Sequence, residues 1–138
     1  MKYVSTRDNS KEYNFEQVFI KGLAEDGGLY VPVSIKKYSS GELQELKKLN
    51  YNEISAEIIN QFLSDFIAKE ELSSLIKKSY STFREKEVVK ISNVGELKLL
   101  ELFHGPTLAF KDVAMQFIGN LYEYYLSKNN KKINIVVA

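Results

Sequence analysis

The 138-residue sequence contains no cysteine, which removes a disulfide framework, a thiolate metal site and a cysteine nucleophile together. It holds a single histidine, and no cluster of histidine and carboxylate at metal-ligand spacing occurs. Charge of one sign is also missing. Nineteen basic side chains stand against eighteen acidic ones, and the lysines are dispersed in short pairs such as Lys36-Lys37, Lys47-Lys48 and Lys131-Lys132. Nucleic acid is therefore not an expected partner. No run is long and apolar enough to span a bilayer, and residues 1–8 lack the apolar centre of a signal peptide. A cytoplasmic protein with no membrane partner is the expectation. Neither the phosphate loop G-x-x-x-x-G-K-[ST] nor the dinucleotide fingerprint G-x-G-x-x-G is present, so nucleotide chemistry loses most of its support. There is no internal repeat and no low-complexity segment beyond local lysine and asparagine enrichment.

Apolar residues make up 44% of the chain, charged residues 27% and aromatic residues 12%, the balance of a chain that folds. A chain of this size buries roughly two thirds of its unfolded surface, enough for one core.

Residues 3–6 suit a short strand. Asn14 stands as a helix N-cap with Gln17 three residues on, and Phe15, Val18, Phe19 and Leu23 follow at helical spacing. Gly22 can end that helix, and Asp26-Gly27-Gly28 supplies a turn before an extended segment at 29–32. Ser40 is a candidate cap for a helix over 42–49, and Asn52 for a longer one carrying Ile54, Ile58, Phe62, Leu63 and Phe66. Leu72, Leu75, Ile76 and Tyr80 predict a further helix after the charged break at 69–71. Residues 88–91 and 96–102 read as strands joined by a turn at 92–95. A long helix over 112–126 is apolar over much of its circumference and should be well buried. Residues 133–137 have the composition of a buried parallel strand, which would complete a strand-helix-strand unit from Leu97.

The segment LELFHGPTLAFKD, residues 100–112, carries the most chemistry. Lys111 lies where a strand has given way to a helix, beside Leu108, Ala109 and Phe110. Burial there would strip hydration from the ammonium, favour the neutral amine and make Lys111 a nucleophile towards a carbonyl such as a cofactor aldehyde. His104 is open to two readings: a proton donor or anion contact, or a ring that shapes the loop by bonding to backbone. Gly105-Pro106 is a turn device. Thr107 either offers its hydroxyl to a ligand or caps the turn. Asp112 suits a helix N-cap or first-turn acid, with a charge placed to orient Lys111. Asp26, Gly27 and Gly28 allow a ligand or another segment to approach closely, and a tight turn explains them equally well.

Over its whole length LELFHGPTLAFKD resembles the lysine-bearing motif of the threonine synthase family, and GLAEDGGLYVP, residues 22–32, is similar to that family's amino-terminal signature. The order and separation of the two blocks fit as well. The resemblance implies a pyridoxal 5'-phosphate enzyme of the tryptophan synthase β-subunit type of fold. Its class would be a carbon-oxygen lyase acting on phosphate, with O-phospho-L-homoserine as substrate. On that resemblance Lys111 corresponds to the Schiff-base lysine, with His104, Thr107 and Asp112 as substrate-binding or site-shaping candidates. The expected architecture is α/β: a mainly helical region over 1–84, then over 85–138 the start of a partly parallel cofactor-binding sheet. The family's substrate loop and phosphate cup follow the segment matching 133–138, so the 138 residues alone are expected to be inactive, and an incomplete sheet exposes an edge for self-association. A related pyridoxal-phosphate lyase and a non-catalytic interaction domain are the alternative readings.

Overall fold

In the computed structural model, residues 1–135 are described, and two compact units divide the chain at Leu72 and Ser73. In the first unit, β1 (Tyr3–Ser5) pairs antiparallel with β2 (Tyr30–Pro32), Val4 opposite Val31. Between them runs α1 (Phe15–Lys21). Its capping box is complete: Gln17 N–H donates to Asn14 Oδ1 at 2.9 Å, and Asn14 N–H to Gln17 Oε1 at 2.8 Å. Gly22 ends the helix at φ 73°, so Leu23 falls outside the apolar stripe expected to hold it and is 64% exposed.

Two caps lie one and two residues away from the expected positions. Ser39, not Ser40, caps α2 (Ser40–Leu46), and Asn50, not Asn52, caps α3 (Tyr51–Leu63). The reason is the third residue on. Ser39 and Asn50 each find a glutamate there, Glu42 and Glu53, whose carboxylate returns to the cap N–H at 2.8 Å. Ser40 and Asn52 would meet Leu43 and Ser55, which carry no carboxylate. Glu42 also pairs with Lys36 at 2.9 Å, and these contacts, Lys36 first and Ser39 next, lower its carboxyl to about 2.

After α3 a 3-10 turn at Ser64–Phe66 brings Phe66 edge-on to Phe15 and Phe19, with centroids 5.0 and 5.9 Å apart. Tyr3 is buried, and its hydroxyl donates to the Phe62 carbonyl at 2.7 Å. Burial pushes that phenol up to about 12.

α4 spans Lys69–Tyr80, so the charged stretch at 69–71 is the helix's first turn and not a break before it. Glu70 and Glu71 sit where the helix dipole favours negative charge, and Lys77 and Lys78 where it favours positive charge. In the second unit, Leu75, Ile76 and Tyr80 are buried on this helix. The unit continues with β3 (Lys90–Val94), β4 (Leu97–Glu101) and α5 (Asp112–Lys128). β3 and β4 form an antiparallel hairpin with Val94 opposite Leu97. Residues 92–94, expected in the turn, belong to the strand. The turn is only Gly95 and Glu96, with Gly95 at φ 60°, as a two-residue hairpin loop requires. Val88, expected to open the strand, precedes it at φ 62° and is buried.

α5 buries one line of side chains, Phe117, Leu121 and Tyr125 at intervals of four, together with Asp112 at its start. Its other apolar positions remain partly or wholly exposed, Met115 among them, so the helix is less enclosed than its composition suggests. Tyr80 Oη donates to the Val113 carbonyl at 3.0 Å, and Asn120 Nδ2 to Ser79 Oγ at 3.1 Å, joining α5 to the second half of α4. Residues 133–135 carry no strand; the rest of the strand expected at 133–137 lies outside the described residues. All strand pairing among the described residues is antiparallel. No helix among them is long and apolar enough to cross a membrane, and no group of three or more histidine, aspartate and glutamate side chains among them could hold a metal ion.

Candidate functional site

Residues 102–111 connect β4 to α5 through a series of turns: Leu108 N–H donates to the Gly105 carbonyl at 3.2 Å and Asp112 N–H to the Ala109 carbonyl at 3.0 Å. Asp112 closes this loop. Its Oδ2 accepts from both the backbone N–H and the hydroxyl of Thr107, each at 2.8 Å, and its Oδ1 accepts from Gln116 Nε2 at 3.1 Å. The side chain is 3% exposed. Desolvation works to raise its carboxyl, but the hydrogen bonds from Thr107, Gln116 and the Leu108 backbone outweigh it and leave the group below the usual carboxylate range. Asp112 thus lies in the first turn of α5, while the cap position is Lys111, which makes no side-chain capping bond. The hydroxyl of Thr107 is committed to Asp112, the turn-capping reading of the two open to it.

Leu108 adopts φ 65°, a conformation that a leucine takes only when its surroundings impose it. Leu108 stands between Thr107, which Asp112 holds through backbone and hydroxyl, and the turn from Ala109 that opens α5.

Lys111 is exposed, as are Leu108, Ala109 and Phe110, the last at 66%. Burial by these neighbours, the condition attached to lowering the amine's basicity, is not met among the described residues, because all three apolar side chains face away from a core. What the structure supplies is placement. Lys111 stands at the cap position of α5, on a loop held by the side chains of Thr107, Asp112 and Gln116.

At the other end of the loop His104 is turned back towards the hairpin. Its Nε2 lies 2.7 Å from Glu101 Oε2, and Ser92 Oγ donates to Glu101 Oε1. His104 and Glu101 are 12% and 19% exposed. Phe103 leans on the imidazole at 4.7 Å between centroids, and the His104 carbonyl accepts from Arg84 N–H at 2.8 Å. The ring's partner is therefore a side-chain carboxylate, not backbone. Glu101, Ser92 and Gln116 were not among the residues expected to shape this loop. Glu101 and His104 are three apart, a spacing that signals contact on a helix but not at a strand end, and nothing in the sequence marks Ser92.

The glycine pair of the amino-terminal block serves a turn. Asp26 Oδ1 accepts from Ser5 Oγ and from Gly28 N–H, both at 2.8 Å, which lowers its carboxyl, the Gly28 bond contributing most. A Cβ on Gly28 would lie 2.3 Å from Ser5 Oγ. The segment that approaches closely is β1.

A sequence profile described as the threonine synthase N terminus matches residues 2–80. Threonine synthase of Schizosaccharomyces pombe is 43% identical over 132 residues, 94% of this chain and 26% of that protein. The crystal structure of a PLP-bound threonine synthase from Brucella melitensis superposes with a TM-score of 0.90 at 34% identity, over 96% of this chain and 29% of that one. For the yeast threonine synthase crystal structure the values are 0.88 and 43%, over 94% and 27%. The α/β expectation thus agrees with the fold of these enzymes, and the chain spans less than a third of each relative's length. With a profile match over more than half of its residues and solved structures that superpose on nearly all of it, the chain belongs to the threonine synthase family, in which it corresponds to the N-terminal region.

Proposed function

We propose that Lys111 is the amine to which pyridoxal 5'-phosphate attaches in a protein of the relatives' length, and that this protein converts O-phospho-L-homoserine and water to L-threonine and phosphate. The observation that carries the reading is the placement of Lys111: an exposed residue at the cap position of α5, on a loop that Asp112 pins through Thr107. An amine open to solvent fits the attachment end of an aldehyde cofactor, and the structure of a PLP-bound relative from Brucella melitensis supports the choice of cofactor. Bound there, the cofactor supplies an electron sink for charge developing at substrate Cα and Cβ.

The chain's own residues have narrower tasks. With the cofactor in place, Lys111 Nζ would hold it and, when free of it, would take and return protons at substrate Cα and Cβ, so that phosphate could leave Cγ and water add at Cβ. Thr107 and Asp112 hold the loop that aims it. Activity is a property of the longer protein; the 138 residues alone are inactive.

Incubation with pyridoxal 5'-phosphate, borohydride reduction and peptide mapping by mass spectrometry tests the assignment. The comparison is between this chain and a version extended to the relatives' length. Label on Lys111 in the extended protein, lost in Lys111→Ala, is the expected result. Absence of specific label from Lys111 in the extended protein removes the assignment and leaves an interaction domain as the better reading.

A further inference from the structure

The carboxylate of Glu101 has both oxygens engaged, Oε1 by Ser92 Oγ and Oε2 by His104 Nε2. Its carboxyl lies below the usual range, mainly through the Ser92 hydrogen bond and then through His104, so it is ionised at neutral pH. An ionised carboxylate only accepts. The proton between the two groups therefore sits on His104 Nε2, and whenever the ring is neutral its lone pair is on Nδ1. Among the described residues Nδ1 has no hydrogen-bond partner. The ring is also tied to the loop that bears Lys111: Gly105, the next residue, is in close packing with Asp112, which follows the lysine.

We propose that Glu101, braced by Ser92, is a positioning residue that holds His104 in its Nε2–H tautomer and dedicates Nδ1 to accepting a hydrogen bond or proton from a donor group of the substrate, an ammonium or a water. In its neutral form a ring held in this way has no Nδ1 proton to offer a phosphate, which leaves acceptor as the function of Nδ1 in that form. The role in catalysis rests on the reading of Lys111 above. The tautomer rests on the hairpin alone.

One histidine in the whole sequence makes the test unambiguous. Nitrogen-15 NMR of the chain with ring-labelled histidine, at a pH where the ring is neutral, should show a pyridine-like Nδ1 and a pyrrole-like Nε2 in one tautomer. In Glu101→Leu the ring should relax to a mixture, and its N–H should exchange with water at least about tenfold faster, the loss of one charge-assisted hydrogen bond. Glu101→Gln, which still accepts but carries no charge, should fall between. Should Glu101→Leu not fold, Ser92→Ala reads the same contact: the tautomer is kept while N–H exchange quickens. A wild-type ring in the Nδ1–H form or averaged between forms overturns the proposal, as does exchange unchanged in every variant. None of these readouts involves the cofactor, so an unlabelled Lys111 and a wrong tautomer are separate failures.

Discussion

Gly105 and Asp112 are packed so closely that a Cβ on the glycine would lie 2.3 Å from the aspartate Cβ and 2.5 Å from its Oδ2. Gly105 does not need a left-handed backbone, since the positive-φ glycines are Gly22, Gly27 and Gly95. It is there for space.

Gly105→Ala should therefore destabilise the chain by about 1–3 kcal/mol, the usual cost of overpacking a tight contact. Gly119, inside α5 with nothing within 4 Å of its would-be Cβ, gives the opposite sign: Gly119→Ala should stabilise by about 0.5–1 kcal/mol. Urea denaturation of the two variants beside the wild type measures both. Equal effects would contradict the packing described.

Asp112→Asn should alter how stability depends on pH. The folded carboxyl is held below its unfolded range, so its contribution is complete above the unfolded value and is lost as pH falls through the folded one. The stability difference between wild type and Asp112→Asn should be constant near neutrality and shrink on acidification below pH about 4. Denaturant midpoints at a series of pH values, compared between the two proteins, report it without interference from the other carboxylates.

The two displaced caps make a paired test. Ser39→Ala and Asn50→Ala should each cost about 0.5–2 kcal/mol, while Ser40→Ala and Asn52→Ala, one and two residues further on, should change stability by less than about 0.5 kcal/mol. Thermal unfolding followed by circular dichroism distinguishes the four.

The β3–β4 hairpin exposes Ile91, Leu97, Leu99 and Leu100, and each strand has one unpaired edge among the described residues. Self-association of the 138-residue chain should follow, and Leu97→Lys with Leu99→Lys should reduce it, since charged side chains on an exposed strand oppose edge pairing. Light scattering after size-exclusion chromatography, over a range of concentrations, measures the difference. Monomer throughout in the unaltered chain would sink the expectation.

Elements with a local code were legible in the sequence. Asn14 with Gln17, the glycine stop at Gly22 and the stripe on α4 are each written within a few residues. The caps of α2 and α3 went astray where two capping residues stand within one or two positions of each other, and only the glutamate three residues on decides between them. Burial was less legible because it depends on what packs against a surface: composition alone could not show that α5 buries one line of side chains, or that Lys111 is exposed. The partnership of Glu101 with His104 depends on where a strand ends, which pairing with β3 determines.

Leu108 bears on how the lysine motif is to be understood. As a string of letters, residues 100–112 can be copied into any peptide. As a shape they cannot, because a leucine at φ 65° opposes its own local preference by about 1–2 kcal/mol, and Asp112, whose carboxylate holds the loop at Thr107, is itself placed by a helix that continues to Lys128, beyond the motif. A synthetic peptide of the motif would carry every recognisable residue and lack the geometry that places the amine.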